Sequence, residues 1–173
     1  MAILPIRIYP DPVLRVRTGP VTELGPALAR LARNMIETMV AAPGIGLAAP
    51  QVGADVRLAI VDLSVGEDPA QLHILVNPEI VQREGAETDV EGCLSLPGIT
   101  EKIERPTRIT VRAVDLAGKA FELSAEDWLA RAICHEVDHL DGILFTDHLR
   151  GLRRERMRRQ LRKLAAEREE VHA

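Results

Sequence analysis

The chain has 173 residues, of which 46% are hydrophobic and 28% charged, and its formal net charge is −4. This composition is that of a soluble globular protein and excludes a disordered chain, and the length suits one domain. No apolar run approaches the roughly 18 residues of a membrane span, and prolines interrupt the N-terminal segment. We therefore expect no membrane contact, no signal peptide and a cytoplasmic location.

The first two thirds of the chain predict one helix followed by strands. Residues 1–20 predict an extended lead-in, and apolar residues at three- and four-residue spacing predict a helix from about Thr22 that Pro43 and Gly44 end. Strand-like runs follow at 56–63, 74–81, 100–105, 108–115 and 120–124, and the segment DLAGK joins the last two as a hairpin. Pro78 indicates a bulge or an edge strand within the second run.

The last third predicts two helices. Ser124 is a candidate N-cap with Asp127 at the third helical position, and this helix runs to about Leu140, with Gly142 at its C-terminal stop. A final helix is predicted at about 150–169. Strands first and helices later, with no regular alternation, predict the α+β class. We expect β-strands packed around a central helix, with an N-terminal and a C-terminal helix beside them.

The central helix carries His135, Glu136 and His139 in the spacing H-E-x-x-H, which places two imidazoles one turn apart with a carboxylate between them. Apolar residues surround the motif, so the helix lies in a core, where unpaired polar groups are costly and a metal ion is a suitable partner. The central helix is therefore predicted to bind a metal. The alternative is a surface helix with unrelated polar residues.

The third ligand of this site is missing downstream. Extended zinc protease motifs place a histidine three residues after the glycine, where this chain has Phe145, and His148 lies nine residues beyond the second histidine. Upstream, Cys93 in the segment EGCLSLP is a candidate thiolate ligand, and its alternative role is a buried structural thiol. Cys134 points about 100° away from His135 around the helix, which predicts a buried thiol; a disulfide between the two cysteines is disfavoured.

Three segments, GIGLAAPQ (44–51), EGCLSLP (91–97) and CHEVDHLDG (134–142), resemble the signature motifs of the bacterial peptide deformylases, in the same order and at similar separations. The lead-in IRIYPDPVLR is also similar. The resemblance implies removal of the formyl group from the N-terminal formyl-methionine of nascent polypeptides. It further implies that Cys93, His135 and His139 bind ferrous iron, for which zinc, nickel or cobalt can substitute.

The same resemblance assigns the other catalytic roles. Glu136 is implied as the general acid and base, and the Gln51 side chain and the Leu94 backbone N–H as the oxyanion hole, with Gly46 beside them. These roles agree with general chemistry, because a metal makes hydroxide available near neutral pH and each donor to the developing oxyanion contributes about 3 kcal/mol. An extended peptide is expected to pair like an added strand along the loop of Gly44, Ile45 and Gly46.

Helix geometry extends the site toward the methionine side chain. Ala132, Arg131 and Trp128 lie three, four and seven positions before His135, on the same helix face. We expect Trp128 to cover the methionine thioether. We expect Arg131 to lay its methylenes along the pocket while it pairs with an acid such as Glu91. Alternatively, Arg131 points to solvent. Trp128 and Arg131 depart from the aliphatic residues that are common at these positions in the family. Asp138 is a candidate support for the metal ligands.

The C-terminal helix is strongly basic. Residues 150–173 carry a net charge of +5 and residues 1–149 a net charge of −9, and we divide the chain there into a catalytic domain and a basic helix that belongs to it or packs on it. One interpretation is an amphipathic helix that packs on the domain through Leu152, Met157, Leu161 and Leu164. The other is docking on ribosomal RNA near the exit tunnel, a salt-sensitive contact. We expect no DNA partner.

Two other functions compete with deformylation. A general metallopeptidase would cleave internal peptide bonds and leave Cys93 dispensable. A ribosome-associated protein that kept the fold but lost activity is disfavoured, because all three ligands, the glutamate and the glutamine are present.

Overall fold

The computed structural model describes residues 2–171, and the side chains of residues 2–168. Within this range the chain forms three α-helices, at Pro26–Ala41 (α1), Asp127–Leu140 (α2) and Gly151–Val171 (α3). Its strands are Gly46–Ala48 (β1), Leu58–Asp62 (β2), Leu72–Glu84 (β3), Glu87–Gly92 (β4), Thr100–Arg105 (β5), Arg108–Val114 (β6) and Ala120–Glu126 (β7). Short 3-10 turns connect several of them. None of the described helices is long and apolar enough to cross a bilayer.

Five strands form one antiparallel sheet in the order β1-β2-β3-β6-β7, and β4 and β5 form a separate two-stranded sheet. Aliphatic side chains of β2 alternate between two cores, as a pleated strand requires. Leu58 and Ile60 pack with α1, and Val61 packs with α2. Helix α2 is buried along most of its length. The expected α+β class with a central helix is confirmed.

The expected irregularity at Pro78 is a bulge. The register of β3 against β6 shifts between Val76 and Glu79, and Asn77 adopts a positive φ of 52°. Proline has no N–H to donate to a ladder, so a central strand accommodates it only where pairing is interrupted. Strand β3 pairs with β2 only up to Val76 and with β6 from Val76 to Glu84, so the bulge lies where the strand becomes an edge on its β2 side, and both expectations apply.

Two predicted helix starts were wrong. Helix α1 begins at Pro26, which suits the first helical turn, after Gly25 in extended backbone. Asn77 holds the backbone of Val21 outside the helix through both its amide oxygen and its amide nitrogen. Ser124 does not cap α2. It lies in β7, which continues to Glu126, and it pairs with Thr110 of β6. Long-range strand pairing therefore outweighs the local capping signal.

The C-terminal end of α2 agrees with the prediction. The helix ends at Leu140, and Gly142 follows with a φ of +72°. A Cβ atom at Gly142 would lie 2.6 Å from the carbonyl oxygen of Arg15, so both the conformation and the close approach of the lead-in require glycine here.

Helix α3 packs on the domain through Met157 and Leu161, which are buried, and Leu164, which is partly buried. These side chains join a core cluster with Leu96 and Ile99, in the segment that follows Cys93. The expectation that Leu152 also packs was wrong, since 80% of this residue is exposed. It lies on the solvent side of the first helical turn, together with the basic residues.

Candidate metal centre and active-site cleft

Three side chains of the kind that bind metals converge beside α2. The ligand atoms of Cys93, His135 and His139 all lie within 4.8 Å of one another, and the Sγ of Cys93 is 3.2 Å from Nε2 of His139. The histidines lie one turn apart on α2, and Cys93 follows β4 directly. One thiolate and two imidazoles are a donor set that suits zinc, iron, cobalt or nickel. The residues that sequence reasoning grouped as ligands are therefore together in space and fit a metal ion.

Glu91 orients one of these histidines. Its Oε2 lies 3.0 Å from Nδ1 of His135, which leaves Nε2 of the ring for the ligand cluster. Arg105 donates to both Glu91 oxygens, at 2.8 and 3.0 Å, and Arg131 donates to Oε1 at 2.9 Å. Although burial opposes ionisation, the hydrogen bonds from His135 and Arg105 lower the pKa of Glu91 to about 2. Glu91 borders the cleft, but protein donors engage both of its oxygens.

Glu136 lies on α2 between the two histidines, and only 4% of it is exposed. Its Oε2 has no hydrogen-bond partner among the described residues. Burial raises its pKa to about 7, because a carboxylate loses hydration in a low-dielectric environment. Gly46 of β1 faces it so closely that a Cβ atom would lie 2.3 Å from Oε1 of Glu136. The position therefore admits only glycine without displacing the carboxylate.

Gln51 is buried and held in one orientation. Its Oε1 accepts a hydrogen bond from the backbone N–H of Ala48 at 2.8 Å, and its Nε2 donates to Ser95 Oγ at 3.2 Å and approaches Cys93 Sγ at 3.6 Å. The amide N–H groups therefore point toward the ligand cluster. Leu94 follows Cys93 in a tight turn, and its backbone N–H makes no hydrogen bond with any described residue.

The lead-in joins the two loops that carry these donors. The backbone N–H of Arg7 donates to the carbonyl of Gln51 at 2.7 Å, and that of Tyr9 donates to the carbonyl of Ser95 at 2.9 Å. One extended segment thus sets the spacing between the loops. Sequence reasoning missed this role, since isolated extended segments carry no periodic signal that names their partners.

A cleft of about 400 Å³ opens beside the ligand cluster. His135, Glu136 and Gln51 line this cleft. All the residues expected to bind substrate also line it, namely Gly44, Ile45, Gly46, Glu91, Trp128, Arg131 and Ala132. Val90, Leu96 and Ile99 also line the cleft and were missed. Val90 belongs to β4, a strand that was not predicted because the segment ETDVEG is polar and lacks clear alternation.

Arg131 is buried, with 5% of it exposed, so the alternative in which it points to solvent is wrong. Besides Glu91 it donates to the backbone carbonyls of Ile103 and Glu87, both at 2.8 Å. The ring of Trp128 lies 5.8 Å from the Arg131 guanidinium carbon, within the range of a cation–π contact. Trp128 is 47% exposed and stands at the cleft, one turn nearer the N-terminus of α2.

The charged network continues away from the cleft. Arg105 Nη1 donates to Asp138 Oδ2 at 2.6 Å, and His148 Nε2 lies 2.6 Å from the same oxygen. Burial opposes ionisation of Asp138, but the contacts with His148 and Arg105 lower its pKa. Among the described residues, Asp138 connects to His135 through Arg105 and Glu91, a longer route than the expected support of the ligands. Sequence reasoning named neither Arg105 nor His148 as part of the site.

The second cysteine plays no part in the cluster. Cys134 is 5% exposed and packs in the core between α2 and the sheet, and both cysteines are free thiols. Burial raises the pKa of Cys134 to about 11, so the group remains a neutral thiol. The expectation of a buried thiol is confirmed.

Comparison with known proteins adds independent information. The model of the Polypeptide deformylase family matches residues 3–155. A peptide deformylase of Acidobacterium capsulatum is 49% identical over 164 residues, 95% of this chain and 96% of the relative. One of Alkalilimnicola ehrlichii is 51% identical over 164 residues, 95% and 92% of the two chains. The crystal structure of a peptide deformylase from Legionella pneumophila superposes with a TM-score of 0.87 at 40% identity, covering 96% and 97% of the two chains.

Proposed function

The chain belongs to the polypeptide deformylase family, a family of metal-dependent hydrolases that remove the N-formyl group of nascent polypeptides, and we propose that the cleft beside α2 is where it does so. The observation that carries this proposal is the convergence of Cys93, His135 and His139 beside Glu136 and Gln51. Gln51, Cys93, His135 and Glu136 come from three separate segments and border one cavity, and His139 completes the ligand cluster beside it. The substrate is the formyl-methionine end of a newly made chain.

We propose Cys93, His135 and His139 as the ligands of one Fe²⁺ ion, for which Zn²⁺, Ni²⁺ or Co²⁺ can substitute. The mixed sulfur and nitrogen donor set supports a borderline divalent metal. Iron itself rests on the family resemblance. When bound, the metal supplies a Lewis acid that polarises the formyl carbonyl and lowers the pKa of water at the site. Metal analysis of protein purified without oxygen tests the choice of iron.

Glu136 is the proposed general acid and base. With a pKa of about 7 it takes a proton from the attacking water at Oε2 and returns it to the departing amine near neutral pH. Its Oε2 has no competing partner among the described residues, which supports this role. The facing Gly46 leaves the carboxylate room to lie beside the peptide.

Gln51 Nε2 and the Leu94 N–H are the proposed donors to the developing oxyanion. Ala48 fixes the Gln51 amide before substrate arrives, and donors that need no reorganisation are each worth about 3 kcal/mol. The peptide lies extended along Gly44, Ile45 and Gly46 and pairs with their backbone like an added strand. A formyl group carries only a hydrogen on its carbonyl carbon. It therefore fits beside the loop of Gly44, Ile45 and Gly46 better than a larger acyl group does.

Formate release tests the function. Protein purified without oxygen should release formate from formyl-Met-Ala-Ser, whereas Cys93→Ser and Glu136→Gln should lose most activity. Because the reaction is an amide hydrolysis at the formyl group, unformylated Met-Ala-Ser should remain intact. A general metallopeptidase would cleave internal bonds and tolerate Cys93→Ser. Absence of formate from metal-replete protein would refute the proposal.

Trp128, Arg131 and Ala132 form the proposed wall for the methionine side chain. Arg131 is clamped by Glu91 and two backbone carbonyls, which holds its methylenes and the adjacent Trp128 ring against the cleft. Arg131→Ala should reduce the preference for formyl-methionyl over formyl-leucyl peptides. Arg112→Ala, on an exposed strand, is the matched control. An unchanged preference in Arg131→Ala would remove this residue from the pocket.

For the partner of α3 we propose ribosomal RNA near the exit tunnel, which places the enzyme in the cytoplasm. The apolar residues Met157 and Leu161 face the domain, while Arg154, Arg158 and Arg162 are exposed, which supports a basic surface for phosphate contacts. Co-sedimentation with ribosomes should weaken with salt and with charge reversal of these arginines. Binding that ignores salt, or that survives truncation at Arg150, would contradict it.

A further inference from the structure

A continuous chain of polar contacts links the protein surface to a proposed metal ligand. It begins at His148, on the 3-10 turn Phe145–His148, whose Nε2 lies 2.6 Å from Asp138 Oδ2 and 3.2 Å from Arg105 Nη1. The His148 side chain is 39% exposed, whereas those of Asp138 and Arg105 are 17% and 5% exposed. Solvent protons therefore reach this network most directly through His148.

The inner end of the chain is rigid. Arg105 holds Glu91 through two parallel hydrogen bonds, and Glu91 holds Nδ1 of His135 at 3.0 Å. The two hydrogen bonds of a bidentate guanidinium–carboxylate pair couple the orientations of the two planar groups as well as their charges. A displacement of Arg105 therefore turns Glu91, and with it the imidazole of His135.

His148 carries a different charge in each protonation state. The 2.6 Å contact makes Nε2 the donor to Asp138 Oδ2, so the neutral ring holds its proton there and a second proton adds at Nδ1. The protonated ring therefore places a positive charge beside Asp138, where it competes with Arg105 Nη1 for the same carboxylate oxygen. Histidine is the side chain that changes charge between about pH 5 and 8.

Two carboxylates near this turn have partners outside the network. Asp147 beside His148 pairs with Arg15 from the lead-in, and Glu101 of β5 pairs with Arg153 of α3. Strand β5 also carries Lys102 and Glu104, and Arg150 precedes α3. The other charged residues of α3 with described side chains are Arg154, Glu155, Arg156, Arg158, Arg159, Arg162, Lys163, Glu167 and Arg168. Asp138 and Arg105 are the charged side chains in hydrogen-bonding distance of the His148 ring.

We propose that His148 is a positioning residue, which sets the orientation of His135 through Asp138, Arg105 and Glu91 and so adjusts metal affinity and deformylation to the surrounding pH. The proposal rests on the function above, since it takes His135 as a metal ligand. His148 itself touches neither the metal ligands nor the cleft.

The test compares four proteins loaded with Co²⁺, whose visible absorption reports ligand geometry directly. Wild type, His148→Gln, His148→Phe and the control His73→Gln are followed between about pH 5 and 8, with Co²⁺ affinity from competition with a chelator. His73 is a histidine on β3, outside the network. Glutamine can both accept from Arg105 and donate to Asp138 without titrating, while phenylalanine does neither.

We expect a spectral transition in wild type and His73→Gln that is absent from His148→Gln. His148→Gln should keep the wild-type affinity at about pH 8, and His148→Phe should bind Co²⁺ about threefold more weakly there, less than the 10- to 100-fold loss typical for direct partners of ligands. Protonation of the three ligands releases metal in acid from all four proteins, so the comparison rests on the difference between them. Thermal melting identifies any variant that fails to fold.

A transition that persists unchanged in His148→Gln would overturn the proposal, as would a His148→Phe protein with the spectrum and affinity of wild type at every pH. Formate release, measured in parallel, separates the two claims. Absence of formate from wild type refutes the deformylase assignment of the cleft, whereas the Co²⁺ spectra still decide whether His148 positions the metal ligands.

Discussion

Two groups of arginine–carboxylate contacts in this protein share their geometry and differ in their surroundings. Glu91 lies 2.8 to 2.9 Å from Arg105 and Arg131, and these side chains are 4 to 6% exposed. On the outer face of the sheet, Arg112 lies 3.0 Å from Glu122, but both side chains are more than half exposed. Water and salt screen the outer pair, so such a contact contributes about 0.2–1 kcal/mol to the free energy of unfolding. In the buried group, water cannot replace a partner that is removed.

The difference shows what the buried charges do. A buried ion pair is not by itself a source of stability, because desolvation offsets much of the attraction. The network around Glu91 instead fixes directions: it holds the ring of His135 and the side chain of Arg131 at once. The outer pair of Arg112 and Glu122 joins only β6 and β7, which already pair through their backbones. Four substitutions distinguish these two situations.

Arg105→Met should be the most destabilising change. It leaves Glu91 and Asp138 buried without their shared cation, and removal of one partner from a buried pair costs about 3–5 kcal/mol. Urea unfolding of the metal-free protein measures this loss. A cost below 1 kcal/mol would mean that water reaches the network and that it resembles the outer pairs.

Glu91→Gln should chiefly weaken metal binding. The amide keeps the size of the side chain but loses the charge that holds Nδ1 of His135, and loss of such a partner lowers metal affinity about 10- to 100-fold. Competition with a chelator for Zn²⁺ measures the change. Glu122→Gln is the control and should bind as wild type does; equal affinities in the two variants would contradict the orienting role of Glu91.

Glu101 represents an intermediate case, because its carboxylate pairs with Arg153 of α3 at 2.9 Å and is 25% exposed. Hydrogen bonds from the Lys102 backbone and the Arg153 side chain lower its pKa. A lowered pKa in the folded state stabilises the protein above the usual pKa of glutamate, and this contribution is lost as the pH falls through the lowered pKa. Glu101→Gln should therefore cost about 0.5–1 kcal/mol at neutral pH and progressively less as the pH falls below the usual pKa of glutamate. Urea unfolding of wild type and Glu101→Gln at several pH values measures this cost, and a difference between the two proteins that did not change with pH would contradict the pairing.

Arg112→Met should have the smallest effect, below about 0.5 kcal/mol, because its pair with Glu122 is exposed on the β6–β7 hairpin. The remaining difference from wild type should vanish in about 1 M salt, where screening acts over only about 3 Å. The cost of Arg105→Met should persist at that salt concentration. If salt reduced both costs equally, exposure would not explain the contrast.

Much of the fold was predictable because its signals are local. Strands at β5 and β6, the end of α2 at Leu140 and the bulge at Pro78 follow from β-branched runs, glycine placement and the chemistry of proline. Strand β4 and the extension of β7 to Glu126 were not predictable. Their residues are polar, and their pairing with β5 and β6 was decided by partners elsewhere in the chain.

The candidate site divides in the same way. The spacing of His135 and His139 determines their common helix face before any tertiary contact exists. The sequence suggested that Arg131 pairs with Glu91, and the structure contains this hydrogen bond. From the sequence alone, the alternative in which Arg131 points to solvent had equal weight. Arg105 and His148 carry no motif at all. Their contribution depends on which charges the folded chain buries beside each other.

By itself, the sequence determined the chemical groups available to this protein and their local geometry, because helix periodicity and motif order are properties of short segments. It also determined the family, through three motifs that appear in register. Only the tertiary structure decided that Cys93 meets the two histidines, that Glu91 serves His135 and Arg131 together, and that a surface histidine reaches this network. The reason is physical: ligand convergence and desolvation arise from contacts between distant segments, and no local pattern encodes them.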